Sequence, residues 1–164
     1  MSDAIATLFL EASTAKLEKM EDVLTTCVGK LSDAQVWEKR AEHENAVGNL
    51  ILHLCGNMRQ WILHGIGGQP DVRTRDAEFA ENGTMTGAEL LERFHSTVAE
   101  VKAVIASLPA ARLAERINPQ NREVSVLEAV YQVVSHVEQH VGQVILLTKQ
   151  MLQRDLDLTI PRKR

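Results

Sequence analysis

Two histidines, His136 and His140, lie one helical turn apart and are candidate metal ligands. They lie in the stretch SHVEQHVGQV among valines. On an α-helix, positions i and i+4 differ by about 40° around the axis and about 6 Å along it, so both imidazoles could bind one metal ion at about 2.0–2.1 Å. Both could equally lie on a polar flank and form only hydrogen bonds. The spacing alone leaves these two interpretations open.

A metal site would need a third ligand from another element, and two histidines of an earlier segment compete for that role. His53 lies in the middle of NLILHLCGNM, whereas His64 adjoins a glycine-rich stretch. Their separation corresponds to about 16 Å along a helix, so only one of them can join His136 and His140. The mid-helix position favours His53, and His64 remains the alternative.

Other catalytic arrangements have weaker support. Cys55 is two residues from His53, but side chains at i and i+2 on a helix point apart, which disfavours a cysteine and histidine pair. Cys27 and Cys55 are far apart in the chain, a pattern typical of reduced thiols and not of a thiolate zinc site. The acidic residues form no pair of Glu-x-x-His motifs, so a carboxylate di-iron site is not indicated.

Long amphipathic helices are the elements that must position these histidines. Apolar residues recur at spacings of three and four in four segments, while residues 66–85 show neither helical nor strand periodicity and are expected to form a long loop. The predicted helices end at Gly29 for the first and Gly65 for the second, run from Thr86 to Pro109 for the third, and from about Ser125 to about Arg154 for the fourth. This pattern predicts an all-α four-helix bundle with long inter-helix connections.

Composition narrows the class of protein. The chain has 164 residues, 45% of them hydrophobic, which fits one domain over residues 1–155, followed by a basic tail over residues 156–164. A net charge of -4 and few aromatic residues argue against a nucleic-acid partner. No apolar run is long enough for a membrane span, and the N-terminal stretch lacks the basic region of a signal peptide. We therefore expect a cytoplasmic protein with no membrane partner.

The segments NAVGNLILHLCGNMRQWI and SHVEQHVGQVILL together resemble those of the DinB-like superfamily of metal-binding four-helix bundles. The order of the histidines, the Gly-Gln pair after the last one and the long loop containing PDVRTRDAEF carry the resemblance over most of the chain. It implies a metal site formed by His53, His136 and His140, with water in the remaining positions. Nickel or zinc is the metal that the resemblance implies.

The same resemblance implies a class of activity. Several DinB-like proteins are transferases or isomerases that use low-molecular-weight thiols such as bacillithiol or mycothiol. We expect a metal-dependent transferase that acts on a small-molecule substrate, with Arg59, Arg73 or Arg75 meeting an anionic group. A metal-dependent hydrolase is one alternative, and a non-catalytic metal-binding protein with a stress or interaction role is another.

A homodimer is also expected from the resemblance, because bundles of this kind often pair through their helices. Trp37, Phe79 and Leu156 lie outside the predicted core stripes. They are therefore predicted to be exposed and available to a partner subunit.

Overall fold

Four long helices form the core of the protein, whose computed structural model describes residues 3–158. In chain order the α-helices are α1 (Asp3–Val28), α2 (Asp33–Val36), α3 (Val47–Met58), α4 (Arg75–Ala80), α5 (Gly87–Ala106) and α6 (Val126–Leu152). The four long ones, α1, α3, α5 and α6, pack against one another, which confirms the predicted all-α bundle. The short helix α4 lies within the stretch predicted to be an irregular loop.

Smaller elements complete the described part of the chain. A π-helical segment (Arg59–His64) continues α3, so the second predicted helix is made of two kinds of turn. Between α5 and α6 lie two 3₁₀ segments (Ala110–Ala114 and Pro119–Asn121) and a two-residue antiparallel ladder, β1 (Arg116–Ile117) with β2 (Val124–Ser125). These short elements form the connection between α5 and α6.

Side-chain caps determine where two of the long helices begin. The Thr86 side chain accepts a hydrogen bond from the Glu89 backbone, and the Glu89 carboxylate accepts one from the Thr86 backbone in return. Ser125 and Glu128 form the same reciprocal box at the start of α6. Such caps satisfy backbone donors that have no partner within the helix, and each stabilises it by about 1 kcal/mol. Both starts were predicted from the sequence, and both are confirmed.

The directions of the long helices explain the length of the connection between α3 and α5. Cys55 in α3 hydrogen-bonds Thr97 in α5, and Arg59, one turn further on, pairs with Glu100 at 3.2 Å. The helices α3 and α5 therefore run parallel, while α1 and α6 run the opposite way. Two consecutive parallel helices require a connection that returns along the whole bundle. That connection carries α4 past the face of α3.

Two of the three residues predicted to be exposed dimer contacts are buried, so those predictions were wrong. Trp37 is 9% exposed and Leu156 is 4% exposed. The Trp37 indole nitrogen donates to the Met85 carbonyl at 2.6 Å. Its ring packs so closely on α3 that a Cβ at Gly48 would lie 2.8 Å from it. The homodimer stays a prediction without support from these two side chains.

Ala6 and Leu10 form the buried face at the first turns of α1. Ile5 and Leu8 lie outside that face and are 56% and 65% exposed. At Gly142 in α6, nothing lies within 4 Å of the Cβ that the residue could carry, so no other helix approaches closely there.

The C-terminal end of the described chain packs onto the bundle. Leu156 contributes to the core beyond the predicted domain boundary at residue 155, while residues 159–164 of the predicted tail lie outside the described residues. Among residues 3–158, no helix combines the length and apolarity that a bilayer crossing requires.

A fully buried amide, that of Asn49, attaches the α4 connection to α3. Its Oδ1 accepts a hydrogen bond from the Ala46 backbone at 3.1 Å. Its Nδ2 donates to the carbonyls of Glu78 at 3.0 Å and Glu81 at 2.9 Å. One side chain thus caps the start of α3 and holds the connection against it.

Asn49→Ala should lower the free energy of unfolding by about 2–4 kcal/mol, because buried backbone groups lose their partners. Urea denaturation followed by circular dichroism measures the change. Asn82→Ala, at an exposed position of the same connection, is the matched control and should change stability by less than about 0.5 kcal/mol. Equal effects of the two substitutions on stability would contradict the role of Asn49 in holding the α4 connection against α3.

Candidate metal centre

Three imidazoles from two helices meet inside the bundle. His53 comes from α3, and His136 and His140 come from successive turns of α6, which packs antiparallel to it. One nitrogen from each ring lies within 4.8 Å of those of the other two. The Nε2 atoms of His53 and His136 are 3.0 Å apart, and the His136 and His140 ring centroids are 4.4 Å apart. The structure thus brings together the three histidines singled out in the sequence.

The rival histidine lies elsewhere. His64 is exposed at the end of the π-helical segment, and its Nδ1 lies 2.7 Å from the Gln69 carbonyl. His64 therefore takes no part in the three-imidazole cluster.

The cluster fits a divalent metal ion in donor type and spacing. Two nitrogens bound at about 2.0–2.1 Å in a tetrahedral site are separated by about 3.4 Å. The 3.0 Å between the Nε2 atoms of His53 and His136 is close to that value. Neutral imidazoles are good ligands for zinc, nickel, copper and iron. The three side chains could hold such an ion and leave further coordination positions to solvent or substrate.

Hydrogen bonds at the far side of two rings set their tautomers. The Nδ1 of His53 lies 3.0 Å from the Glu78 carboxylate, which can only accept a hydrogen bond there. The Nδ1 of His140 lies 2.6 Å from Oε1 of Gln143. These acceptors favour the tautomers with the proton on Nδ1, in which the Nε2 lone pairs can bind a metal.

Glu78 is a member of the site that sequence reasoning missed. Arg73 holds its carboxylate through Nε at 2.7 Å and NH2 at 2.8 Å, and the two side chains are only 4% and 10% exposed. Burial raises the pKa of Glu78, but the hydrogen bonds from Arg73 and His53 outweigh it and lower the pKa below its ordinary value. Glu78 is thus ionised beside His53 at neutral pH.

Arg73 was expected to meet an anionic substrate, but its guanidinium is already engaged. Besides Glu78, it donates to Gln60 at 3.0 Å, and its NH2 lies 3.1 Å from the Nδ1 of His53. Its guanidinium lies on the Nδ1 side of the His53 ring, whereas the Nε2 of that ring lies beside His136. The role of Arg73 is therefore to neutralise and fix Glu78.

A glycine in the middle of α3 makes room for this ion pair. A Cβ at Gly56 would lie 1.9 Å from Oε1 of Glu78 and 3.0 Å from Nε of Arg73. Because glycine costs about 1 kcal/mol in a helix interior relative to alanine, its position there has a packing reason. Gly56 was the sequence signal for a close approach at this face of α3.

Two buried amides, those of Asn49 and Asn57, lie one turn before and one turn after His53 on α3. The amide of Asn49 holds the α4 connection. Asn57 is buried one turn after His53, and its Oδ1 has no hydrogen-bond partner among the described residues.

An aromatic ring covers the other side of His53. The ring of Phe79 lies 5.0 Å from that of His53, and the guanidinium of Arg75 lies 5.1 Å from the Phe79 centroid. Phe79 is half-buried against the site, so it is less available to a partner subunit than predicted. Of the three arginines expected to meet substrate, Arg75 is the one placed at this edge of the cluster.

The environment favours neutral histidines. Burial, followed by the charges of His140, His53 and Arg73, lowers the pKa of His136 from 6.5 to about 4. Burial also lowers the pKa of His140, against a smaller opposite effect of its hydrogen bond to Gln143. Neutral imidazole is the form that binds metal ions.

The cysteines do not supply a nucleophile. Burial raises the pKa of Cys55 to about 11, and it also raises the pKa of Cys27. Both side chains are buried thiols, which are inert compared with exposed thiolates.

Comparisons with known proteins agree on the fold. A family model described as "Protein of unknown function (DUF1572)" matches residues 4–164. No curated protein matches the chain. A conserved protein from Enterococcus faecalis has a similar structure, with a TM-score of 0.72 and 14% identity, over 88% of this chain and 97% of that one.

Two further solved structures carry the DinB-like description. One is a protein from Bacillus cereus, with a TM-score of 0.69 and 16% identity, covering 95% of each chain. The other is YjoA from Bacillus subtilis, with a TM-score of 0.68 and 16% identity, over 93% of this chain and 99% of that one. The fold is therefore that of the DinB-like proteins.

Lowering the pH should destabilise the metal-free protein. In the unfolded chain His136 titrates near its ordinary pKa of about 6.5, whereas in the folded protein its pKa is about 4. Between these values the unfolded state binds more protons, so the free energy of unfolding falls as the pH falls. Urea unfolding measured from about pH 7 to about pH 4.5 should show this slope, and His136→Gln should reduce it. An identical slope in the variant would contradict the shift.

Glu78→Gln should weaken metal binding by about 10–100-fold, because the neutral amide supports His53 less well than a carboxylate. Competition with a chromophoric zinc chelator measures the affinity. Glu92→Gln, at an exposed position on α5, is the control and should bind as the wild type does. A change in metal affinity of less than about twofold in Glu78→Gln would contradict the role of Glu78 in supporting His53.

Proposed function

We propose that this chain, which belongs to the DUF1572 family of proteins of unknown function, binds one divalent metal ion through His53, His136 and His140. The observation that carries the proposal is the convergence of three imidazole nitrogens within 4.8 Å. Nickel and zinc are the proposed metals, since both bind neutral imidazole well.

The arrangement suits a reactive site better than a sealed structural one. Only three protein ligands converge, and a catalytic zinc site keeps at least one position for water or substrate. His136 and His140 are half-exposed, so solvent reaches that side of the cluster. When bound, the ion would lower the pKa of a water or thiol in the open position and polarise a substrate.

The chain's own groups prepare the site for that chemistry. Glu78 keeps the proton of His53 on Nδ1, and Gln143 does the same for His140. Phe79 shields one face of His53, and Arg75 next to it offers a positive charge to an anionic substrate. These residues bind and orient, and none of them is placed to act as a nucleophile.

We propose transfer of a low-molecular-weight thiol to a small electrophilic substrate as the reaction. Both cysteines are buried with raised pKa values, so the attacking sulfur must come from outside the chain. The thiol would release its proton to solvent, and its sulfur would form a bond to the substrate carbon as the bond between that carbon and the leaving group breaks. The resemblance of the chain to DinB-like proteins that use such thiols supports this class of reaction.

Screening purified, metal-loaded protein with low-molecular-weight thiols and electrophiles tests the reaction. Thiol consumption that requires the metal supports transfer. Turnover of ester or amide substrates without any thiol would instead show a hydrolase, and metal binding without turnover of either kind would show a binding protein.

Single alanine substitutions at His53, His136 and His140 should each reduce bound zinc from about one ion per chain to well below half, because two imidazoles hold an ion much less tightly than three. Elemental analysis after dialysis measures the ratio. His64→Ala is the matched control and should keep the wild-type stoichiometry. Loss of metal in His64→Ala with full retention in the other three would overturn the proposal.

A further inference from the structure

A cavity of about 280 Å³ lies next to the face of α3 that carries His53. The α4 connection covers it, and α3 and the start of α5 form its remaining walls. None of the three clustered histidines lines it, although Arg73 and Glu78 do. That ion pair therefore stands between the cavity and His53.

The cavity combines an apolar surface with arginines. Its apolar lining includes Leu52, Leu63, Val72 and Met85. Val72 is 74% exposed, unusual for a large aliphatic side chain, and it belongs to the covering connection. The volume suits a molecule smaller than a typical drug-sized ligand.

Two of the lining arginines have unused donors. Arg59 donates one hydrogen bond, from NH1 to Glu100 at 3.2 Å, in a half-exposed ion pair. The side chain of Arg93, an exposed residue, makes no hydrogen bond or ion pair within residues 3–158. An arginine has five N–H donors, so most of the donors on these two side chains are available to a ligand.

Three carboxylates also line the cavity, but their oxygens are largely engaged. Glu78 is held by Arg73. Both oxygens of Asp71 accept hydrogen bonds, from the Gln60 side chain at 2.7 Å and the Arg73 backbone at 3.1 Å. One oxygen of Glu81 accepts three bonds within its own turn. The unsatisfied hydrogen-bonding capacity of the cavity is therefore mainly cationic and donating.

We propose that this cavity is a second ligand site, separate from the metal centre, for a small molecule with an apolar body and a carboxylate or phosphate group. Arg59 and Arg93 bind the anionic group, in the charge-assisted geometry that guanidinium offers to oxyanions. The apolar side chains of the covering connection receive the rest of the molecule.

Hexanoate is a suitable probe, with hexanamide as its neutral counterpart and inorganic phosphate as the anion without an apolar body. Titration into metal-free ¹⁵N-labelled protein should give saturable amide shifts at Gly56, Val72, Ala77 and Met85. Hexanamide should bind about tenfold more weakly, because it forms no charge-assisted hydrogen bonds. Phosphate should shift amides near the arginines alone.

Arg59→Gln combined with Arg93→Gln should weaken hexanoate binding at least about tenfold, while Arg122→Gln, at an exposed position away from the cavity, should not change it. The absence of saturable shifts at the cavity amides, equal binding of hexanoate and hexanamide, or equal binding by the double variant would each overturn the site. Well-dispersed spectra of the variants verify that they are folded.

A consequence for the metal centre rests on the proposed function. Since Arg73 and Glu78 line the cavity and contact His53, saturating hexanoate should change zinc affinity by about fivefold in the wild type and much less in Glu78→Gln. Unchanged zinc affinity would overturn the coupling. If the protein bound no zinc, the proposed function would fail, whereas the metal-free titration would still decide whether the cavity binds anions.

Discussion

The buried ion pair between Arg73 and Glu78 is the interaction on which the site depends. A carboxylate removed from water is costly unless it is paired and hydrogen-bonded. Here the guanidinium supplies two hydrogen bonds, and His53 lies at hydrogen-bonding distance on the same carboxylate. Gly56 leaves the space in which the carboxylate sits, and Asn49 holds the backbone of Glu78 in place. The connection between α3 and α5 is thus attached to α3 beside His53.

The bundle directions explain why such a connection exists. Because α3 and α5 run parallel, the chain must travel back along the bundle between them, and it does so across the face of α3 beside His53. A minimal up-and-down bundle would place a short turn there and leave the imidazole without its carboxylate. The long connection, the carboxylate that supports His53 and the cavity beside Arg73 and Glu78 therefore have one structural origin.

The long helices and the histidines that they carry were predictable from the sequence, because helical periodicity and capping boxes are local signals. The starts of α5 and α6 followed from Thr86 with Glu89 and from Ser125 with Glu128. His136 and His140 were expected on one face because the spacing of four residues determines it. Pairing them with His53 instead of His64 needed the mid-helix argument and the resemblance, and only His53 lies in the cluster.

Contacts made by irregular segments were not predictable in the same way. Glu78 contacts His53 although the two residues are 25 positions apart in sequence. The path of the connection brings them together, and the hydrophobic periodicity of the sequence does not indicate this contact. Trp37 was misjudged for a similar reason, since its burial depends on the glycine surface of α3 at Gly48. In both cases a glycine in α3 marked where another element comes close.

X-ray absorption spectroscopy of the zinc-loaded protein tests the central claim most directly, because it reports the atoms bound to the ion. The proposed function predicts three imidazole nitrogens at about 2.0–2.1 Å, recognisable by their multiple-scattering pattern, and at least one further oxygen. A coordination sphere with one imidazole or none, or one that contains sulfur, would contradict a centre formed by His53, His136 and His140.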